Sequence, residues 1–260
     1  MGGIGGLLAY FGGGILFNAL GRSAPFIAGA IVAALALIVV FIFVKEPEQI
    51  QLENNEKQPG LFENIKALLD HQDKSGILVL FGILFWFMGF NALETGLSSF
   101  AVFTLGMKAG TASIYTGLVT VTFILFAVPA GNFGTRYGRA AVIRAGLIGL
   151  SVLMLLGYLF IQSTITFAIV LVLTGIFWAM VNVNSLPLVY DHGDEKRIGA
   201  FTGLYYFSSQ FAAVLGPTLG GILVDVMGNQ YRWLWLFAAF FMAAALVVMF
   251  KVGHGRAAME

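Results

Sequence analysis

Cysteine is absent from the 260-residue sequence, which excludes disulfides, thiol chemistry and thiolate-bound metals. Charge is scarce too: Asp, Glu, Lys and Arg make up 10% of the chain, against about 25% in soluble domains. Net charge is only +1, so nothing points to a nucleic-acid partner. His71, His192 and His254 all fall in polar segments. No nucleophile and base pair stands within an apolar run, and no enzyme site is expected. The loop Asp191-His192-Gly193-Asp194-Glu195 matches no metal-ligand spacing, so neither metal nor cofactor is expected. Met1-Gly2-Gly3 enters apolar sequence without a basic region or cleavage site, and no signal peptide is read there.

Apolar residues are what the chain has in abundance. They make up 59% of it, with a mean hydropathy of +0.90. Crossing a bilayer as a helix takes about 20 apolar residues. Eight segments reach that length, near 4–20, 24–44, 76–105, 112–131, 140–161, 164–190, 199–224 and 231–250. The fold class is therefore an all-α integral membrane protein of eight transmembrane helices.

Lys and Arg accumulate in cytoplasmic loops. The basic turn running from Gly131 to Arg139, followed by Arg144, is accordingly placed inside. Lys45, Lys57, Lys66, Lys74, Lys196, Arg197, Lys251 and Arg256 then fall on the same side, leaving Arg22, Lys108 and Arg232 outside. Both termini are expected in the cytoplasm, with the chain in a bacterial or archaeal plasma membrane.

The first span carries many glycines, which let membrane helices approach closely, so it is expected inside a bundle. Its Gly13-Gly14-Ile15-Leu16 recurs in the seventh span as Gly220-Gly221-Ile222-Leu223. Transporters are commonly built from such repeated units. On this reading residues 1–44 are the last two helices of a truncated first half. Residues 45–75 form a cytoplasmic linker, 76–251 a six-helix bundle and 252–260 a tail. Within the linker, Leu61, Phe62, Ile65, Leu68 and Leu69 recur at helical spacing, as in a helix lying on the membrane surface.

Glu94 is the acidic residue set deep in a predicted span, where insertion costs about 2.5 to 3.5 kcal/mol before any partner is counted. Asn91, Glu94 and Ser98 share one helix face and are candidates for lining an aqueous cavity. Asn182 and Asn184 in the sixth span lie about 200° apart on a straight helix, just before Pro187, which is expected to bend it. Tyr205, Tyr206 and Gln210 suit a sugar, rings against its apolar face and the amide on its hydroxyls. Gly13, Gly14, Gly216, Pro217, Gly220 and Gly221 are expected to pack helices. Gly131, Gly134 and Gly138 are expected to supply the strained angles of a tight turn.

The spacing G-x-x-x-T-R-x-G-R from Gly131 to Arg139 resembles the loop signature of the major facilitator superfamily, which normally has Asp where Thr135 stands. With Trp86 to Thr95, Trp178 to Asn184 and Gly203 to Asp225, nearly the whole chain resembles the fifth to twelfth helices of such a carrier. The sucrose-proton and glycoside-pentoside-hexuronide symporter branches are the most similar. The resemblance implies a secondary transporter of a small polar solute, most readily a sugar, coupled to protons and working by alternating access. It also implies a cytoplasmic gate in which Gly131, Thr135, Arg136, Gly138 and Arg139 take part. Thr135 cannot supply the anion, so Asp191, Asp194 or Glu195 is expected to. The expected partners are the solute, protons, the bilayer and a missing N-terminal half or second subunit. A different reading is a membrane scaffold or sensor that assembles with another chain without transporting.

Overall fold

The computed structural model describes residues 2–45, 60, 74–191 and 198–252. Every regular element among them is helical. In hydrocarbon no water satisfies backbone groups, and a helix closes all its hydrogen bonds within one segment. The first span consists of α1 (Gly2–Leu7), a π-helical turn (Leu8–Gly12) and α2 (Gly13–Leu20). There follow α3 (Ala24–Phe43), α4 (Ser75–Leu105), α5 (Ala109–Tyr137) and α6 (Arg139–Phe160). The chain continues through α7 (Thr164–Asp191), α8 (Ile198–Val226) and α9 (Trp233–Phe250). Eight of these spans are long and apolar enough to cross a bilayer, so the chain is an integral, multi-pass membrane protein.

The last six helices form one bundle. α4 packs against α8 and α9, α9 against α6, α6 against α7, and α7 against α5, which also touches α4. Glycine permits several of these crossings. Gly216 on α8 lies against the backbone of Met88, and Gly157 on α6 lies against the indole of Trp235. Trp235 is fully buried with Phe100 and Phe167 around it, ring centroids 5.7 and 6.5 Å away. At the turn between α4 and α5, Gly106 adopts the left-handed conformation (φ 69°) and the Met107 N–H returns to the Ala101 carbonyl at 3.1 Å.

The first span packs beside this bundle rather than within it. It packs on the bundle mainly along α5, because its glycines divide between two faces. A Cβ on Gly14 would meet the Gly110 carbonyl, and one on Gly3 would meet Ile124, whereas Gly5, Gly12 and Gly13 face open space. α3 packs on α2 and has no buried residue. The Gly-Gly-Ile-Leu repeat is likewise not equivalent in space. Gly14, the second glycine of its copy, is packed; in the other copy it is the first, Gly220, while Gly221 is open.

The expected turn from Gly131 to Arg139 is also corrected. α5 continues as helix to Tyr137, and the chain reverses at Gly138 alone, whose φ is 90°. Gly131 and Gly134 serve close packing instead. Gly134 abuts the Asn184 amide and Gly131 faces Val183, both on α7. The expected surface helix near Leu61 to Leu69, and Asp194 and Glu195, lie outside the described residues.

Candidate functional site

A cavity of about 380 Å³ opens where the first span meets α4, α5 and α7. Its polar wall consists of Asn91 and Glu94 on α4, Thr120 on α5, Asn182 on α7 and Tyr10 in the π-helical turn. Its aromatic wall is Phe87, Phe90, Phe123 and Trp178. Phe90 and Trp178 stack with centroids 3.8 Å apart and planes within 3°, and Phe87 meets Trp178 edge-on at 5.4 Å. Stacking fixes both rings, so the wall has a defined shape.

Glu94 is reached from the other side of the cavity. The Tyr10 hydroxyl donates to its Oε1 at 3.3 Å. The π-helical turn widens the helix by one residue per hydrogen bond, a feature common at functional sites. Ser113 on α5 donates to the Tyr10 carbonyl at 3.1 Å, tying this turn to the bundle. Small neighbours let the tyrosine in, for Gly3 and Gly6 line the same cavity. No motif or spacing in the sequence marks Tyr10. Its signal was a lone hydroxyl-bearing aromatic in a Gly-rich apolar span.

The other expected residues distribute unevenly. Asn91 lines the cavity and anchors itself by donating to the Phe87 carbonyl at 2.8 Å. Ser98 shares the face of Asn91 but does not line the cavity, since two helical turns carry it about 10 Å along the axis. Asn182 lines it, whereas Asn184 is 2% exposed and donates to the Ala130 and Met180 carbonyls at 3.0 and 2.9 Å. Asn184 is thus a helix-packing residue, as the angle between the two positions requires.

The group expected to hold a sugar also divides. Tyr205 is buried behind the cavity wall, edge-on to Phe87 at 6.4 Å, with its hydroxyl 3.2 Å from Ser185. Tyr206 is 52% exposed and Gln210 is exposed. One helical turn apart, these two share the outer face of α8, while Tyr205 points inward about 100° away.

At the Gly138 end, Arg139 donates to the Asp191 carboxylate and, at 3.1 Å, to the Pro187 carbonyl. Among the described residues, the expected acid Asp191 is therefore placed on an arginine. α7 runs through Pro187 to Asp191, and Arg139 receives its end. Thr135 is turned back on its own helix, donating to the Asn132 carbonyl at 2.9 Å, and Arg136 is exposed over the Tyr137 ring. Two other arginines were read from sequence only as orientation signals. Arg144 on α6 donates to the Met249 and Val252 carbonyls at 2.9 and 2.6 Å, and Arg232, before α9, donates to Tyr158 and Ile161 at 3.2 and 2.9 Å. Pro217 lines a second hollow beside Asp225, Thr95 and Tyr231, of about 240 Å³.

Comparison with known proteins agrees with this architecture. The chain is 28% identical over 240 residues to the human MFS-type transporter SLC18B1, covering 84% of this chain and 49% of that one. It is 23% identical over 257 residues to the hexuronate transporter of Bacillus subtilis, covering 90% of this chain and 57% of the relative. Among solved structures it superposes on the Escherichia coli fucose:proton symporter with a TM-score of 0.65 at 17% identity, covering 86% of this chain and 54% of the other. The chain thus spans about half the length of these proteins. The family model of the Major Facilitator Superfamily matches residues 1–119 and 102–257, nearly the whole chain, and the chain belongs to that superfamily.

Proposed function

We propose that this chain forms the solute-binding and coupling part of a secondary active transporter. The carrier moves a small polar solute, a sugar, by alternating access, with Glu94 as the proton-coupling carboxyl. The observation that carries this reading is Glu94 itself, set in a cavity between the first span and the bundle and held by Tyr10 from across it. A carboxyl whose partner comes from a separately packed element changes its surroundings when that element moves, as coupling requires. The cavity of about 380 Å³ falls within the roughly 300–1,000 Å³ common for small-molecule sites. The structural neighbour named for fucose supports a sugar as the solute.

α1 to α3 are read as the end of a first half and α4 to α9 as a second half. Further helices, on a longer chain or a second subunit, complete the carrier. The Gly138 end is read as the cytoplasmic gate, with Arg139 and Asp191 clamping α7 and exposed Arg136 available to a facing element. Proteoliposome uptake under an imposed proton gradient tests the coupling. Glu94→Gln should remove gradient-driven accumulation while leaving solute exchange without a gradient. Undiminished accumulation in that variant would refute the role.

A further inference from the structure

Resting on the carrier reading above, we infer that the cavity selects its solute by charge, admitting neutral and amine-bearing sugars and rejecting uronates, with Glu94 the selecting residue. Among the described residues, its lining includes one ionisable carboxyl, Glu94, and no Lys, Arg or His. Arg139, Arg144 and Arg232 lie at helix ends and are each bonded to backbone carbonyls there.

A solute carboxylate entering beside Glu94 would lose its water and find no countercharge among these lining residues, so burial and like-charge repulsion both act against it. Proton uptake by Glu94 removes the repulsion but still supplies no cation. A neutral sugar meets none of this. Its hydroxyls find the amides of Asn91 and Asn182, and its apolar face finds the stacked Phe90 and Trp178. An amine additionally gains a charge-assisted hydrogen bond from the Glu94 carboxylate.

The test is equilibrium binding by calorimetry to the full chain in lipid nanodiscs, using glucose, glucosamine and glucuronate and the matching galactose series. These probes differ in charge at nearly constant shape. The expected result is binding of the neutral and amino sugars of at least one series, with the uronate weaker by about tenfold or more. Glu94→Gln should then erase any advantage of the amino sugar. A uronate that binds wild-type protein as tightly as its neutral counterpart overturns the charge rule and leaves the sugar-carrier reading standing. Failure of every sugar to bind overturns that reading and the charge rule together.

Discussion

A carboxyl inside a membrane span costs about 2.5 to 3.5 kcal/mol on insertion scales, and Glu94 meets that cost with the Tyr10 hydroxyl at 3.3 Å. Tyr10→Phe keeps the ring and removes this donor. The expected loss is about 1 kcal/mol, close to fivefold in transport rate, with normal melting behaviour; an unchanged rate would mean the hydrogen bond is incidental. At Gly134 the argument is steric. A methyl group there would collide with the Asn184 amide, and overpacking of this kind costs about 1–3 kcal/mol. Gly134→Ala should therefore lower the thermal midpoint, and adding Asn184→Ala should recover part of the loss. Additive losses in the double variant would show that the two positions do not touch. That Glu94 faces a cavity was readable from its chemistry. That Asn184 packs against α5 was not, because a side chain's neighbour depends on a helix far away in sequence.

Between elements, α6 and α9 hold each other at both ends. Arg144 of α6 satisfies carbonyls at the end of α9, and Arg232 beside α9 satisfies carbonyls at the end of α6. The last carbonyls of a helix lack partners within it and carry partial negative charge, so a guanidinium there both bonds and neutralises. Arg144→Ala or Arg232→Ala should each cost about 1–2 kcal/mol in thermal unfolding of the purified protein. Lys108→Ala should move stability by less than about 0.5 kcal/mol, as surface substitutions usually do. Equal effects from all three would remove the capping account. Sequence placed these arginines correctly at the ends of spans. It did not reveal that they reach across to a neighbouring helix, since the positive-inside rule counts charges without regard to what they bond.

At the scale of the molecule, a six-helix bundle carries a less integrated hairpin, α1 to α3, that packs on it mainly through α5. The cavity lies at this seam, so a motion of one unit against the other would change its opening. At the Gly138 end, Arg139 and Asp191 join α6 and α7, which already pack along their length. The pair is therefore expected to hold the end of α7 while larger units move. The absence of cysteine makes this directly measurable. A Ser185→Cys probe, at a position fully buried in the wild type, should react with a maleimide about fivefold faster or more once Asp191→Asn frees that end, the ratio that about 1 kcal/mol produces. Equal rates would show that the pair does not restrain α7.

The sequence by itself determined the spans, because bilayer thickness and the cost of unpaired backbone groups depend only on apolar length and composition. It also determined the family, through residues quoted from four separate stretches of the chain. Local chemistry singled out Glu94 as the acid set within a span. Only the tertiary structure decided which polar groups converge on it. Tyr10 lies 84 positions away, and it joins the site because a π-helical turn and the glycines beside it let the first span seat against α5. Likewise, Gly131 and Gly134 look alike with Gly138 in sequence, yet only Gly138 turns the chain. Whether a glycine serves a bend or a contact depends on what stands opposite, which helical periodicity cannot specify.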